Sequence, residues 1–134
     1  MGFNILIVDD STSIRRMLKR IVELSGFDVE NVFEASNGRE ALEVLKTEWV
    51  DFILCDIHMP EMDGIELLKA LKQDEVLSRI PVVMVSTEGR PEIVQEVRRL
   101  GIRGYVQKPF TPEEIRKVLE ELVGEEFSRD EGAT

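Results

Sequence analysis

Phe52-Ile53-Leu54-Cys55-Asp56-Ile57-His58-Met59-Pro60 is an apolar run that stops on an acid and passes into a loop bearing Pro60 and Gly64. Four apolar residues are too few for a free-standing helix. They suit a strand buried on both faces, as in a parallel sheet with helices packed above and below. Asp56 then stands at the strand's carboxyl tip, the edge where open α/β sheets bind ligands. The run Ile5 to Val8 ends the same way, on Asp9-Asp10. Three carboxylates are therefore expected to converge on one edge.

The segments on either side alternate in the manner such a sheet requires. Asn4 to Val8 is the first strand, and Asp9 to Ser13 is rich in residues that cap helices by accepting from free N–H groups. Ile14, Met17, Leu18, Ile21 and Val22 then form one helical stripe, with Gly26 placed to end it. Val29 to Ala35, polar at Glu30, Asn31 and Glu34, suits an edge strand. Ala41, Leu42 and Leu45 supply the inner face of a helix running to about Glu48, and Ile65, Leu67, Leu68 and Leu71 that of a third helix. Ile80 to Val85 is the fourth strand, with Pro81 tolerable only near its start. Pro91 opens a fourth helix whose thin stripe of Ile93, Val97 and Leu100 predicts the least firm packing. Gly104 to Val106 is a short fifth strand, and Thr111-Pro112-Glu113-Glu114 joins a capping box to a first-turn proline. Ile115, Val118, Leu119 and Leu122 line the last helix. The domain is expected over residues 1–124, with 125–134 a polar tail that frays. Five strands alternating with five helices through short loops predict a doubly wound α/β domain with right-handed crossovers.

At 134 residues the chain suffices for one domain with its own core. Its 17 Lys and Arg against 27 Asp and Glu give a net charge of −10, which opposes binding to nucleic acid and to anionic membranes. Cys55 is the only cysteine, so no intramolecular disulfide forms, and within a buried run it reads as a small core residue. A cytoplasmic location is expected. Ile5 to Val8 is too short for a signal peptide's apolar region, and no window approaches the roughly 18 apolar residues of a membrane span.

The strand tips read Asp9/Asp10, Asp56, Ser86/Thr87 and Lys108. Two carboxylates 4 Å apart repel by about 4 kcal/mol at an effective dielectric of 20. A hard divalent cation offsets this, and Mg²⁺ takes oxygen ligands while keeping positions for water and phosphate oxygens. Lys108 adds a movable positive charge. With the Ser86 hydroxyl, these groups would hold the terminal oxygens of a phosphoryl group carried by the central acid, Asp56, acting as nucleophile.

In order along the chain, Val8-Asp9-Asp10, Asp56 with Met59-Pro60 and Asp63-Gly64 behind it, Ser86 after an apolar strand, and Lys108-Pro109-Phe110 resemble the receiver domain of two-component response regulators, most like the stand-alone chemotaxis type. The resemblance covers about residues 4–123. It implies a flavodoxin-like fold of strand order 2-1-3-4-5, and transfer of a phosphoryl group to Asp56 from a phosphohistidine on a sensor histidine kinase. It implies Mg²⁺ held by Asp10, Asp56 and the main-chain carbonyl of His58, with Asp9 acting through water. Ser86 is similar to the family's switch hydroxyl, Tyr105 to its switch aromatic, and Lys108 to its phosphoryl-contacting lysine. Phosphorylation would draw Ser86 inward, let Tyr105 rotate in, and alter the surface of helix four, strand five and helix five around Arg90, Ile93, Val97, Tyr105 and Lys108. A downstream target protein or phosphatase would read that surface; a monomer with no direct nucleic-acid or membrane partner is expected.

Thr87 and Glu88 are expected as neighbours of the phosphoryl site. His58 and Thr87 depart from the commonest choices in the family, which predicts hindered water access and slower self-dephosphorylation. A metal-dependent phosphatase of the aspartyl-phosphate kind is the competing class. However, Asp56-Ile57-His58 lacks that class's second acid, and a cap domain that would enclose a substrate is not expected. A metal-free interaction scaffold is a third reading, disfavoured by the full acid, hydroxyl and lysine set. Apart from its own phosphorylation and dephosphorylation, the chain is expected not to be an enzyme. No glycine-rich phosphate loop follows any strand.

Overall fold

The computed structural model describes residues 2–132, with side chains from 2 to 124. Strands β1 (Phe3–Val8), β2 (Val29–Ala35), β3 (Phe52–Cys55), β4 (Val82–Ser86) and β5 (Gly104–Gln107) alternate with helices α1 (Thr12–Glu23), α2 (Gly38–Thr47), α3 (Gly64–Lys72), α4 (Pro91–Arg99) and α5 (Pro112–Gly132). The sheet order is β2-β1-β3-β4-β5, and every neighbouring pair is parallel. This is the flavodoxin-like doubly wound arrangement that the sequence predicts, with β3 at its centre.

The period-two alternation of a strand explains why β3 is apolar throughout. Ile53 and Cys55 enter the core layer that holds Ala41 and Leu45 of α2, Leu67, Leu68 and Leu71 of α3, and Val97 of α4. Phe52 and Leu54 enter the opposite layer with Leu18 and Val22 of α1 and Ile115, Leu119 and Leu122 of α5. Cys55 is 1% exposed, as expected of a core residue, and burial drives its thiol pKa far up. In β2 only Ala35 is buried, in keeping with an edge position. Val97 is the sole fully buried residue of α4, so that helix has the thin anchorage expected of it.

Two boundaries differ from the sequence reading by two residues or more. β4 begins at Val82 rather than Ile80, because Leu77–Arg79 form a 3-10 turn. Pro81, lacking an N–H, contributes only its carbonyl, which accepts from Ile53 N at 3.0 Å. α5 continues through Gly124 to Gly132 instead of ending near residue 124. An internal glycine costs a helix only about 1 kcal/mol, and helix-favouring glutamates follow this one at 125 and 126. Side chains of the predicted tail, 125–134, lie outside the described residues. At Gly101, φ of +90° follows the last turn of α4, where a side chain would be strained.

Candidate functional site

Sheet hydrogen bonds continue one residue past three of the strands and pin the residues at their tips. Asp9 N donates to Ala35 O at 3.0 Å, Asp56 N to Val8 O at 2.9 Å, and Lys108 N to Ser86 O at 2.8 Å. The loop behind Asp56 is folded tightly against it: Gly64 N donates to Ile57 O at 2.7 Å. A Cβ at Gly64 would lie 2.2 Å from Asp56 O, which only glycine avoids. Asp63 and Glu66 then close a capping box at the start of α3, which the sequence reading did not include.

Asp9 is 2% and Asp56 7% exposed, while Asp10 is exposed. One oxygen from each of the three lies within 4.8 Å of the others. The Lys108 ammonium bridges the two buried acids, at 2.8 Å from Asp9 Oδ2 and 2.9 Å from Asp56 Oδ2. Asp9 Oδ1 accepts from Ser11 N at 2.8 Å, and Asp56 Oδ1 from Ile57 N at 2.6 Å. Each carboxylate is thus oriented by a neighbouring backbone N–H. Burial raises the Asp9 pKa, although Lys108 and the Ser11 N–H pull the other way. Burial also opposes the Lys108 charge, but its hydrogen bonds to Asp9 and Asp56 outweigh that and raise its pKa.

Three acids against one ammonium leave this group at 1 − 3 = −2. The donors are all oxygen, and the charge is what one divalent cation would neutralise, so the residues fit Mg²⁺. The His58 carbonyl, expected as a further ligand, is bonded to no main-chain N–H among the described residues.

The pKa direction at Asp9 fixes a pH dependence. A carboxyl whose folded pKa lies above its unfolded value of 3.8 favours the protonated form in the fold, so folding loses stability as pH rises through that range. Bound Mg²⁺ offsets the ionised charge, and protons compete with it. The increase in melting temperature produced by Mg²⁺ is expected to be largest at neutral pH and to shrink as pH falls through Asp9's raised pKa. Thermal melts across pH with and without Mg²⁺ check this; an increment unchanged across that range contradicts it.

Ser86 is fully buried, and its Oγ accepts from Glu88 N at 3.2 Å. Thr87 is exposed, and its carbonyl accepts from Gln107 Nε2 at 3.5 Å. The Tyr105 hydroxyl donates to the Glu88 carbonyl, which ties this ring to the β4–α4 loop. The Glu88 side chain is only 5% exposed. It takes the Arg90 guanidinium on both oxygens, at 2.7 and 3.1 Å, and His58 Nε2 at 2.9 Å. Arg90 first, then His58, holds the Glu88 carboxyl well below the usual range. This bridge joins the loops after β3 and β4. The sequence reading placed His58, Glu88 and Arg90 near the site but did not join them; Glu88 and Arg90 two residues apart in one loop were the only local sign.

Residues 5–120 match the response regulator receiver domain. The chain belongs to that family. The chemotaxis protein CheY-3 of Vibrio cholerae is 40% identical over 121 residues, covering 90% of this chain and 92% of that protein. CheY of Pseudomonas aeruginosa is 40% identical over 118 residues, covering 88% and 94%. The solved structure of the chemotaxis response regulator CheY4 of Vibrio cholerae superposes with a TM-score of 0.79 at 37% identity, covering 91% of this chain and 99% of that one. Receiver domains are signalling proteins rather than conventional enzymes, and this CheY-like receiver keeps its acidic cluster at the carboxyl edge of the sheet. Among the described residues no helix is long and apolar enough to cross a membrane.

Proposed function

We propose that this receiver accepts a phosphoryl group on Asp56 from a sensor histidine kinase and signals through a changed α4–β5–α5 surface, as a phosphorylation-dependent switch of the chemotaxis type acting in the cytoplasm. The observation that carries this reading is the Lys108 ammonium shared by Asp9 and Asp56, beside an exposed third acid. Bound Mg²⁺ would neutralise charge on the transferring phosphoryl oxygens. Asp10, Asp56 and the His58 carbonyl would hold it, with Asp9 acting through water.

Asp56 Oδ attacks phosphorus, the bond from phosphorus to the donor breaks, and the donor leaves with that bonding pair. Backbone N–H groups hold both buried carboxylates in place, so little reorganisation precedes attack. Lys108 can then leave Asp9 for a phosphoryl oxygen while keeping its charge at the site. The Ser86 hydroxyl would exchange the Glu88 N–H for another such oxygen. Because Tyr105 is bonded to the Glu88 carbonyl, moving Ser86 and Glu88 moves the ring and the surface of β5 with them. Phosphorylation shifts the two arrangements only by its differential contacts with them. A downstream target or a phosphatase would bind the resulting face, with the receiver itself a monomer.

Incubation with acetyl phosphate and Mg²⁺ tests the reading. The chain should gain the mass of one phosphoryl group, and nuclear magnetic resonance shifts should follow at Tyr105 and along α4 and α5. No gain in mass contradicts it.

His58 and Thr87 set the expected lifetime of that group. The His58 ring reaches across to Glu88, and Thr87 stands at the exposed lip of the loop, so both restrict the approach of water. In a His58→Asn, Thr87→Ala variant the phosphoryl group should decay severalfold faster than in the unmodified protein. Equal lifetimes would show that neither residue hinders water.

A further inference from the structure

Away from the acids, at the amino edge of the sheet, two clefts meet around the 3-10 turn before β4. The first, of about 320 Å³, is bordered by Trp49 and Val76. These are 71% and 59% exposed, two of the four large exposed apolar side chains among the described residues. Trp49 is exposed yet anchored: its Nε1 donates to Asp51 Oδ1 at 3.1 Å, and its carbonyl accepts from Asn4 Nδ2 at 2.8 Å. Asp51 is itself held by the Asn4 N–H at 2.8 Å. An aromatic face fixed in this way offers a stacking surface with little entropy left to lose.

The second cleft, of about 430 Å³, shares Arg79, Ile80 and Pro81 with the first. Lys72 and Arg79 line it beside Ser78, and among the described residues no carboxylate does, in a chain of net charge −10. The side chains of Lys72 and Arg79 have no hydrogen-bond or ion-pair partner among the described residues. The Lys72 ammonium lies over Gly101, 3.1 Å from where a Cβ would stand, so a side chain there would crowd it. Glu48 and Asp51 stand in the lining of the Trp49 cleft, so an anionic group is directed to the cationic one.

The geometry points to a binding site for a nucleoside polyphosphate, its base stacked on Trp49 and its phosphates on Lys72 and Arg79. The combined space lies within the range of small-molecule sites. No glycine-rich loop is involved, because side-chain cations rather than backbone N–H groups would hold the phosphates. The site is independent of the Asp56 chemistry and lies at the other edge of the sheet.

Trp49 is the only tryptophan, so its emission reports on this cleft alone. The full chain, kept in EDTA to leave the acidic site out of play, is titrated with ATP, adenosine, inorganic triphosphate and a polyglutamate peptide. Fluorescence and calorimetry are the readouts. ATP should bind saturably and change Trp49 emission, with adenosine and triphosphate each about tenfold weaker or more, since each keeps only half of the contacts. Lys72→Glu with Arg79→Glu should weaken ATP about tenfold or more while the variant still gains a phosphoryl group from acetyl phosphate, which shows that it is folded. Failure of ATP to saturate would overturn the proposal, as would affinity unchanged by the charge reversals. Polyglutamate binding in place of ATP would reassign the cleft to an acidic protein segment and equally overturn it.

Discussion

Replacing Asp56 with Asn is expected to abolish the gain of a phosphoryl group from acetyl phosphate and Mg²⁺, a fall in rate of about a thousandfold or more. An amide oxygen is a poor nucleophile, and the product would lack the acyl phosphate that an aspartate forms. The substitution should be benign for the fold, because Asn Oδ1 can still accept from the Ile57 N–H and Lys108 keeps its contact with Asp9. Intact-mass measurement over time, with melting temperature as the control, checks both halves. An Asp56→Asn chain that is folded and still gains mass would move the acceptor elsewhere, with Asp9 and Asp10 the remaining carboxylates of the cluster.

Lys108→Ala should have the largest effect on stability. Its side chain is 13% exposed and those of Asp9 and Asp56 are 2% and 9%, so deletion leaves two nearly buried carboxylates without their cation. Removing one partner of a buried ion pair costs about 3 kcal/mol, because the surviving charge is left uncompensated. Urea unfolding without Mg²⁺ should therefore shift by about that amount. Added Mg²⁺ should restore more stability to the variant than it adds to the unmodified protein, since the cation takes over the charge that lysine supplied. The loss should also shrink as pH falls through Asp9's raised pKa, because a protonated carboxyl needs no partner. Equal stability of the two proteins at neutral pH without Mg²⁺ would show that the bridge contributes nothing net.

Both predictions depend on features that the sequence carried in full. An apolar run ending in an acid can be read locally, and once each such run is a parallel strand, their tips must share an edge. Asp9, Asp56, Ser86 and Lys108 follow from that rule alone, without knowledge of any loop. Local capping chemistry was equally legible: Thr111 and Glu114 exchange the backbone bonds expected of a capping box, at 3.1 and 3.2 Å.

What escaped was decided at longer range. The His58–Glu88 contact joins residues 30 apart, and nothing in either segment signals the other. The bond from the Tyr105 hydroxyl to the Glu88 carbonyl is set by the path of the β4–α4 loop, which neither segment signals. The late start of β4 and the passage of α5 through Gly124 depend on balances of about 1 kcal/mol, smaller than pattern alone resolves. Nothing local in the sequence marks Trp49 as exposed, and its bond to Asp51 joins it to a residue beside it on the surface.

A crystal structure of the protein with Mg²⁺ and beryllofluoride would bear most directly on the arrangement at the acidic edge. The expected outcome is beryllium bonded to Asp56, the ion held by Asp10, Asp56 and the His58 carbonyl, and the Lys108 ammonium moved from Asp9 onto a fluorine. An ion bound away from these acids, or Lys108 still bridging Asp9 and Asp56 with no beryllium on Asp56, would contradict the account.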